Sequence, residues 1–297
     1  MSRPPFLTLP GCARAYRLRT ARGEFAVHDA RPEGAPRGTV LLVPGFTGSK
    51  EDFIALLEPL ARAGFRAVAL DGRGQHESEG PRDEAAYAQP ELARDVLAQA
   101  AALNSDADAA GDPAPPHVLG HSLGGLIVRA AVLLDPGAFA SLTLMSSGPA
   151  AISEPQQART KLLIDALSVT DMESVWRAMR ELDPQEAPEE TTPPGIEEFL
   201  HQRWLGTVPE QLMATGRQLN REPDRVAELA AVTLPKHVLS GVVDDAWPVS
   251  LMDGMAERLA ARRTVIQGAG HSPNAERPRP TAEALIDFWC GVAPRQG

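Results

Sequence analysis

Pro116-His117-Val118-Leu119-Gly120-His121-Ser122-Leu123-Gly124-Gly125-Leu126-Ile127-Val128 reads as a strand, a tight turn and the first turns of a helix. Residues 116–119 are strand-like, and Leu123–Leu134 is helix-like. Between them lies the G-x-S-x-G pentapeptide Gly120–Gly124. In this setting the two glycines let the backbone turn sharply without Cβ clashes, and the serine is left exposed at the carboxyl end of the strand. The helix N-terminus beneath it adds a partial positive charge for a developing oxyanion. Ser122 is therefore the candidate nucleophile.

Upstream, Ala15–Thr20 and Glu24–His28 flank Ala21-Arg22-Gly23 and read as a β-hairpin. After the Pro/Gly stretch Arg31–Gly38, the continuous apolar run Thr39-Val40-Leu41-Leu42-Val43 suits a strand covered on both faces. Ser49 opens a helical pattern with Phe53, Leu56, Leu57 and Leu60 on one face and Gly64 as its stop. Phe65–Leu70 is a further strand, Glu91–Leu103 a helix and Ala140–Met145 another strand. Strands alternating with helices imply right-handed crossovers and an α/β fold, a doubly wound, mostly parallel sheet.

The alternation stops after Ser147 and resumes at His237–Leu239, followed by a helix after Pro248, a strand at Thr264–Ile266 and a last helix ending near Trp289. Residues 149–233 show no strand pattern. Met172, Val175, Trp176, Met179 and Leu182 fit one apolar helix face, and Ile196, Phe199, Leu200 and Trp204 another. Asp183–Pro194, rich in Pro and Glu, reads as a mobile loop. The expected organisation is a core of residues 1–148 and 234–297 with a helical cap, 149–233, inserted before the last two strands. That insertion carries 15 acidic and 8 basic residues, most of the chain's net charge of −10. The surplus reads as solvated outer helix faces, or as a field that repels anionic substrates and lipid surfaces.

A serine hydroxyl needs a base, and the base needs an acid to orient it. The chain order for this elbow is Ser, Asp or Glu, then His. Gly241-Val242-Val243-Asp244-Asp245 follows one predicted strand and Gly268-Ala269-Gly270-His271 another. Both fall on the sheet edge that holds Ser122, where open α/β sheets place their ligands. His271 is the candidate base, and Asp244 or Asp245 the acid. The oxyanion would be held by the Leu123 N–H and by the Phe46 N–H of the Gly-bracketed loop Pro44-Gly45-Phe46-Thr47-Gly48.

An excess of acids over bases, 39 against 29, argues against nucleic acid and polybasic membrane contacts. Cys12 and Cys290, at opposite ends of the 297 residues, cannot form a disulfide framework or a metal cluster. The remaining histidines lack metal-ligand spacing, and there is no phosphate loop or dinucleotide fingerprint, so neither metal nor cofactor is expected. With no leader-like segment and no run of 18 apolar residues, the expectation is a cytoplasmic protein without a membrane span. Oligomeric state is not readable.

With these residues in place, the sequence resembles the α/β-hydrolase family over nearly its whole length. The matching segments are Pro44–Gly48, Asp71-Gly72-Arg73-Gly74-Gln75-His76-Glu77-Ser78, Gly120–Gly125, Gly241–Asp244 and Gly270-His271. Pro44 stands where the family has His, and His76 where it has a second Gly. The spacing Gly241-x-x-Asp244-x-x-x-Pro248 follows the family's pattern and so favours Asp244 over Asp245. The resemblance implies a cap between the sixth and seventh strands and looks closest to serine esterases and lipases of the monoacylglycerol-lipase-like kind. Ser rather than Asp at the elbow argues against the haloalkane-dehalogenase and epoxide-hydrolase branches. The expected activity is cofactor-free hydrolysis of a small-molecule carboxylic ester. Perhydrolase, C–C hydrolase or thioesterase chemistry on the same triad is the alternative, as is a non-catalytic small-molecule receptor. His121 reads as a packed neighbour of the nucleophile and Trp176 and Trp204 as cap core; His121, Trp176, Met179, Trp204 and Trp247 are the candidates for the pocket lining.

Overall fold

A strand that is apolar at every position needs helices on both sides, and the centre of the sheet is built from such strands. The computed structural model describes residues 1–105, 114–182 and 195–292. Among them the strands are β1 (Ala13–Thr20), β2 (Gly23–Ala30), β3 (Gly38–Val43), β4 (Phe65–Leu70), β5 (His117–His121), β6 (Ser141–Met145), β7 (Lys236–Gly241) and β8 (Arg262–Ile266). They form one sheet in the order β1-β2-β4-β3-β5-β6-β7-β8. The β1–β2 hairpin lies antiparallel against β4, and every pairing from β4 to β8 is parallel.

The core helices are α1 (Ile54–Arg62), α2 (Gln89–Asn104) and α3 (Leu123–Leu134). Between β6 and β7 run α4 (Glu154–Leu167), α5 (Met172–Leu182), α6 (Ile196–Gly206), α7 (Pro209–Arg221) and α8 (Val226–Ala230). The chain ends on α9 (Val249–Arg258), α10 (Pro273–Glu276) and α11 (Pro278–Cys290). The period of two along β3 divides the core: Val40 and Leu42 pack with α1 and α11, Leu41 and Val43 with α2, α3 and α9. A third apolar cluster, with Leu167, Trp176, Ile196, Leu200, Trp204 and Leu212, joins α4 to α7 to one another. α8 instead contributes Val226 and Leu229 to the core on the sheet.

The helix expected from Ser49 begins with a 3-10 turn, Lys50–Phe53, and becomes α-helical at Ile54. The loop expected at Asp183–Pro194 lies outside the described residues. Among the described residues no helix is long and apolar enough to cross a membrane.

Candidate active site

Ser122 sits between β5 and α3 with φ +54° and ψ −120°, a positive-φ conformation that a non-glycine residue holds only when its surroundings enforce it. They do so through hydrogen bonds on both sides. The Ser122 N–H donates to the Met145 carbonyl at the end of β6, 2.9 Å, and the Ser122 carbonyl accepts the Gly125 N–H, 2.9 Å. A side chain at Gly120 would run into the Gly124 carbonyl, and one at Gly124 into the carbonyls of Val43 and Pro44. Both glycines of the pentapeptide are thus needed for the close approach of α3 to β3 and β5.

His271 follows β8 and Asp244 follows β7, so both arrive at the carboxyl edge where Ser122 stands. His271 Nδ1–H donates to Asp244 Oδ2 over 2.8 Å, and His271 Nε2 accepts the Ser122 hydroxyl over 3.0 Å. The tautomer follows from the partners, a carboxylate on one nitrogen and a hydroxyl on the other. Asp244 is fully buried at its carboxylate, and its Oδ1 accepts the N–H groups of Ala246 and Trp247 at 2.8 and 3.0 Å. Asp245 is exposed and its backbone carbonyl accepts the Ser153 hydroxyl. Of the two adjacent acids, Asp244 is the one joined to the imidazole.

His121 is buried and donates Nε2–H to the His271 carbonyl, 2.8 Å. Burial, with the neighbouring His271, pushes its pKa down to about 3, so the ring stays neutral and serves as a donor. The loop Pro44–Gly48 lies against the nucleophile: a Cβ on Gly45 would come within 3.0 Å of the Ser122 Cβ. Buried Gln75 holds that loop by donating Nε2–H to the Gly45 carbonyl, 3.0 Å. Leu123 is the first residue of α3, and first-turn N–H groups have no intrahelical acceptor.

Asp52 ties three parts of the site together. Its Oδ1 accepts Arg203 Nη1 of α6 at 2.8 Å, its Oδ2 accepts the Ser49 N–H at 3.3 Å, and its carbonyl accepts Asn274 Nδ2 at 2.7 Å. A cavity of about 420 Å³ opens on Ser122 and His271, lined also by Phe46, His121, Asp52 and, from α4, Gln156, Arg159 and Thr160. A larger cleft, about 550 Å³, lies by the β1–β2 hairpin away from Ser122, and its Arg22 and Arg73 are committed to Asp95. Glu51, His76 and Glu77 come close enough to share an ion, but Lys50 Nζ stands 2.9 and 2.7 Å from the two carboxylates and supplies that positive charge itself.

Residues 40–284 match the alpha/beta hydrolase family. The chain belongs to that family. It is 29% identical over 185 residues to the pimeloyl-[acyl-carrier protein] methyl ester esterase of Methylococcus capsulatus, covering 59% of this chain and 71% of that one. Epoxide hydrolase A of Mycobacterium tuberculosis is 26% identical over 91% of this chain and 95% of its own length. Among solved structures, a thermophilic esterase from Thermogutta terrifontis superposes with a TM-score of 0.74 at 23% identity, covering 94% of this chain and 99% of that one. At that identity the likeness is one of fold.

In this alpha/beta hydrolase four of the five residues expected to line the pocket lie elsewhere. Trp176 stacks on His201, ring centroids 5.2 Å apart, and Trp204 donates Nε1–H to the Met172 carbonyl, 2.7 Å. Met179 packs on the same cluster. The apolar faces of α5 and α6 are turned toward each other, which leaves neither free to face a substrate. Trp247 is fully buried beside the His271 ring and donates Nε1–H to the Ala150 carbonyl, 2.8 Å. Only His121 of the five borders the cavity. Asp52 and Arg203, and from α4 Gln156, Arg159 and Thr160, lie outside the residues that the sequence singles out; the weak apolar face of α4 is the local signal that it is turned to a cavity.

Proposed function

We propose that this hydrolase cleaves carboxylic esters through an acyl-enzyme on Ser122. His271 Nε2 takes the hydroxyl proton as Ser122 Oγ attacks the ester carbonyl carbon. The carbonyl oxygen becomes an oxyanion held by the Phe46 and Leu123 N–H groups. His271 then gives its proton to the departing alkoxide, and the alcohol leaves. Water enters, loses a proton to His271, attacks the acyl carbon and releases the acid with Ser122 restored. Asp244 keeps Nδ1–H oriented and stabilises the imidazolium formed in each half. The helices of 149–233 act as the lid over this chemistry.

The observation that carries the reading is the unbroken line from Ser122 Oγ through His271 to Asp244, 3.0 and 2.8 Å, at the wall of a cavity that Phe46 also borders. The relative named as a methyl ester esterase supports the same bond type. The test is turnover of p-nitrophenyl esters of graded chain length by the wild type and by Ser122→Ala. Loss on the order of 10⁴-fold or more is expected, together with fluorophosphonate labelling of the wild type alone. Near-full turnover by Ser122→Ala would refute the mechanism.

A further inference from the structure

α4 turns Gln156, Arg159 and Thr160 toward the cavity, the i, i+3, i+4 spacing of one helix face. Among the described residues that line it, Arg159 is the only lysine or arginine. Within 149–233, six of the eight basic residues are paired with carboxylates. Arg159 and Arg221 have no carboxylate within 4.0 Å among the described residues. In so acidic a segment a cation left without an acid among the described residues is the exception, and Arg159 faces the cavity that holds Ser122.

The cavity's own acids do not neutralise it. Asp52 is held by Arg203, and the Glu276 carboxylate accepts the N–H groups of Gly270 and Ser272. Asp245 is fixed near the start of α4, where its carbonyl accepts the Ser153 hydroxyl. Arg159 lies six residues further along, about 9 Å down the helix axis at 1.5 Å per residue. The cavity is therefore negative beside the triad's acid loop and positive along α4. A guanidinium presents a planar fork that fits the two oxygens of a carboxylate, and the Gln156 amide and Thr160 hydroxyl add donors on the same face.

We propose that Arg159, with Gln156 and Thr160, is a carboxylate subsite, and that the preferred substrates are esters carrying a free carboxylate remote from the scissile bond, as half-esters of dicarboxylic acids do. This rests on the ester reading of Ser122. It also sets the local charge against the acidic surplus of the surrounding helices: the field falls off through solvent and salt, whereas a direct ion pair does not depend on distance from those faces.

The test compares kcat/KM for the mono-p-nitrophenyl esters of succinate, glutarate and adipate with that for neutral p-nitrophenyl esters of matching chain length. In the wild type the ratio of charged to neutral substrate should peak at one chain length. At that length Arg159→Gln should lower the ratio about tenfold, the scale of one charge-assisted contact, and Arg159→Lys should restore part of it. Arg221→Gln removes the same charge outside the cavity lining and should leave the ratio in place. An unchanged ratio in Arg159→Gln, or an equal fall in both glutamine variants, overturns the subsite; the second result would assign the effect to net charge. Turnover of both ester series by Ser122→Ala would instead strike the ester reading, and a separate measurement, glutarate binding by calorimetry to wild type and Arg159→Gln, then decides the subsite by itself: equal affinities overturn it.

Discussion

Asp244 and Asp245 are neighbours with the same chemistry and opposite surroundings. Asp244 accepts two backbone N–H groups on one oxygen and the imidazole on the other, while Asp245 projects into solvent. Asp244→Asn keeps the shape but offers the imidazole a neutral partner, so kcat on a p-nitrophenyl ester should fall about 10⁴-fold. Asp245→Asn should change it by less than about tenfold. Equal, modest losses in both would leave neither as the acid. The three members of this line were legible in the sequence because each sits in a local pattern, an apolar strand followed by a glycine-bearing turn. Gln75 and Asp52 lie in segments just as short, but what they bind is decided by chain that arrives from elsewhere.

At the scale of elements, α6 is fastened to the loop before α1 by a pair that no local pattern announces. Arg203 and Asp52 are 151 positions apart and both fully buried, and Arg203 Nη2 also donates to the Ser2 carbonyl, 2.8 Å. Burial raises the Asp52 pKa while Arg203 and the Ser49 N–H pull it back, so the carboxylate depends on its partner. Arg203→Met leaves that charge buried and uncompensated, at a cost of about 3–5 kcal/mol. The double variant Asp52→Asn with Arg203→Met should recover a large part of the loss. Urea unfolding of the wild type and the two variants measures this; a loss under about 1 kcal/mol in Arg203→Met would show the pair to be solvated in solution. The α5 and α6 residues expected to line the pocket face each other instead. An apolar stripe records only that a face is covered, and the covering surface here is the neighbouring helix.

For the whole molecule, the buried histidines set a prediction about pH. His117 packs against both Phe65 and Trp289 with Nδ1 bonded to the Ser141 hydroxyl, and His237 packs on Phe288 with Nε2 bonded to the Thr264 hydroxyl. Burial lowers the pKa of His117 to about 4, and burial aided by Arg262 and Arg263 lowers that of His237 to about 3. His28 is brought to about 4 by burial, with Glu51 opposing, and His121 to about 3. In the unfolded chain these rings titrate near 6.5. Below that pH the unfolded chain takes up protons that the folded one refuses. The stability is therefore complete above about pH 6.5 and is lost as the pH falls toward 4. Each ring contributes a slope of up to about 1.4 kcal/mol per pH unit. Asp71, whose carboxyl pKa burial raises while Lys50 opposes, is shifted in the opposite sense and offsets part of this. The offset cancels when one ring is removed: His237→Gln should show an unfolding free energy that falls less steeply between pH 6 and 5, by about one proton. Equal slopes in wild type and variant would mean that His237 titrates in the folded protein as it does in the unfolded chain, and that its place between β7 and α11 is open to water.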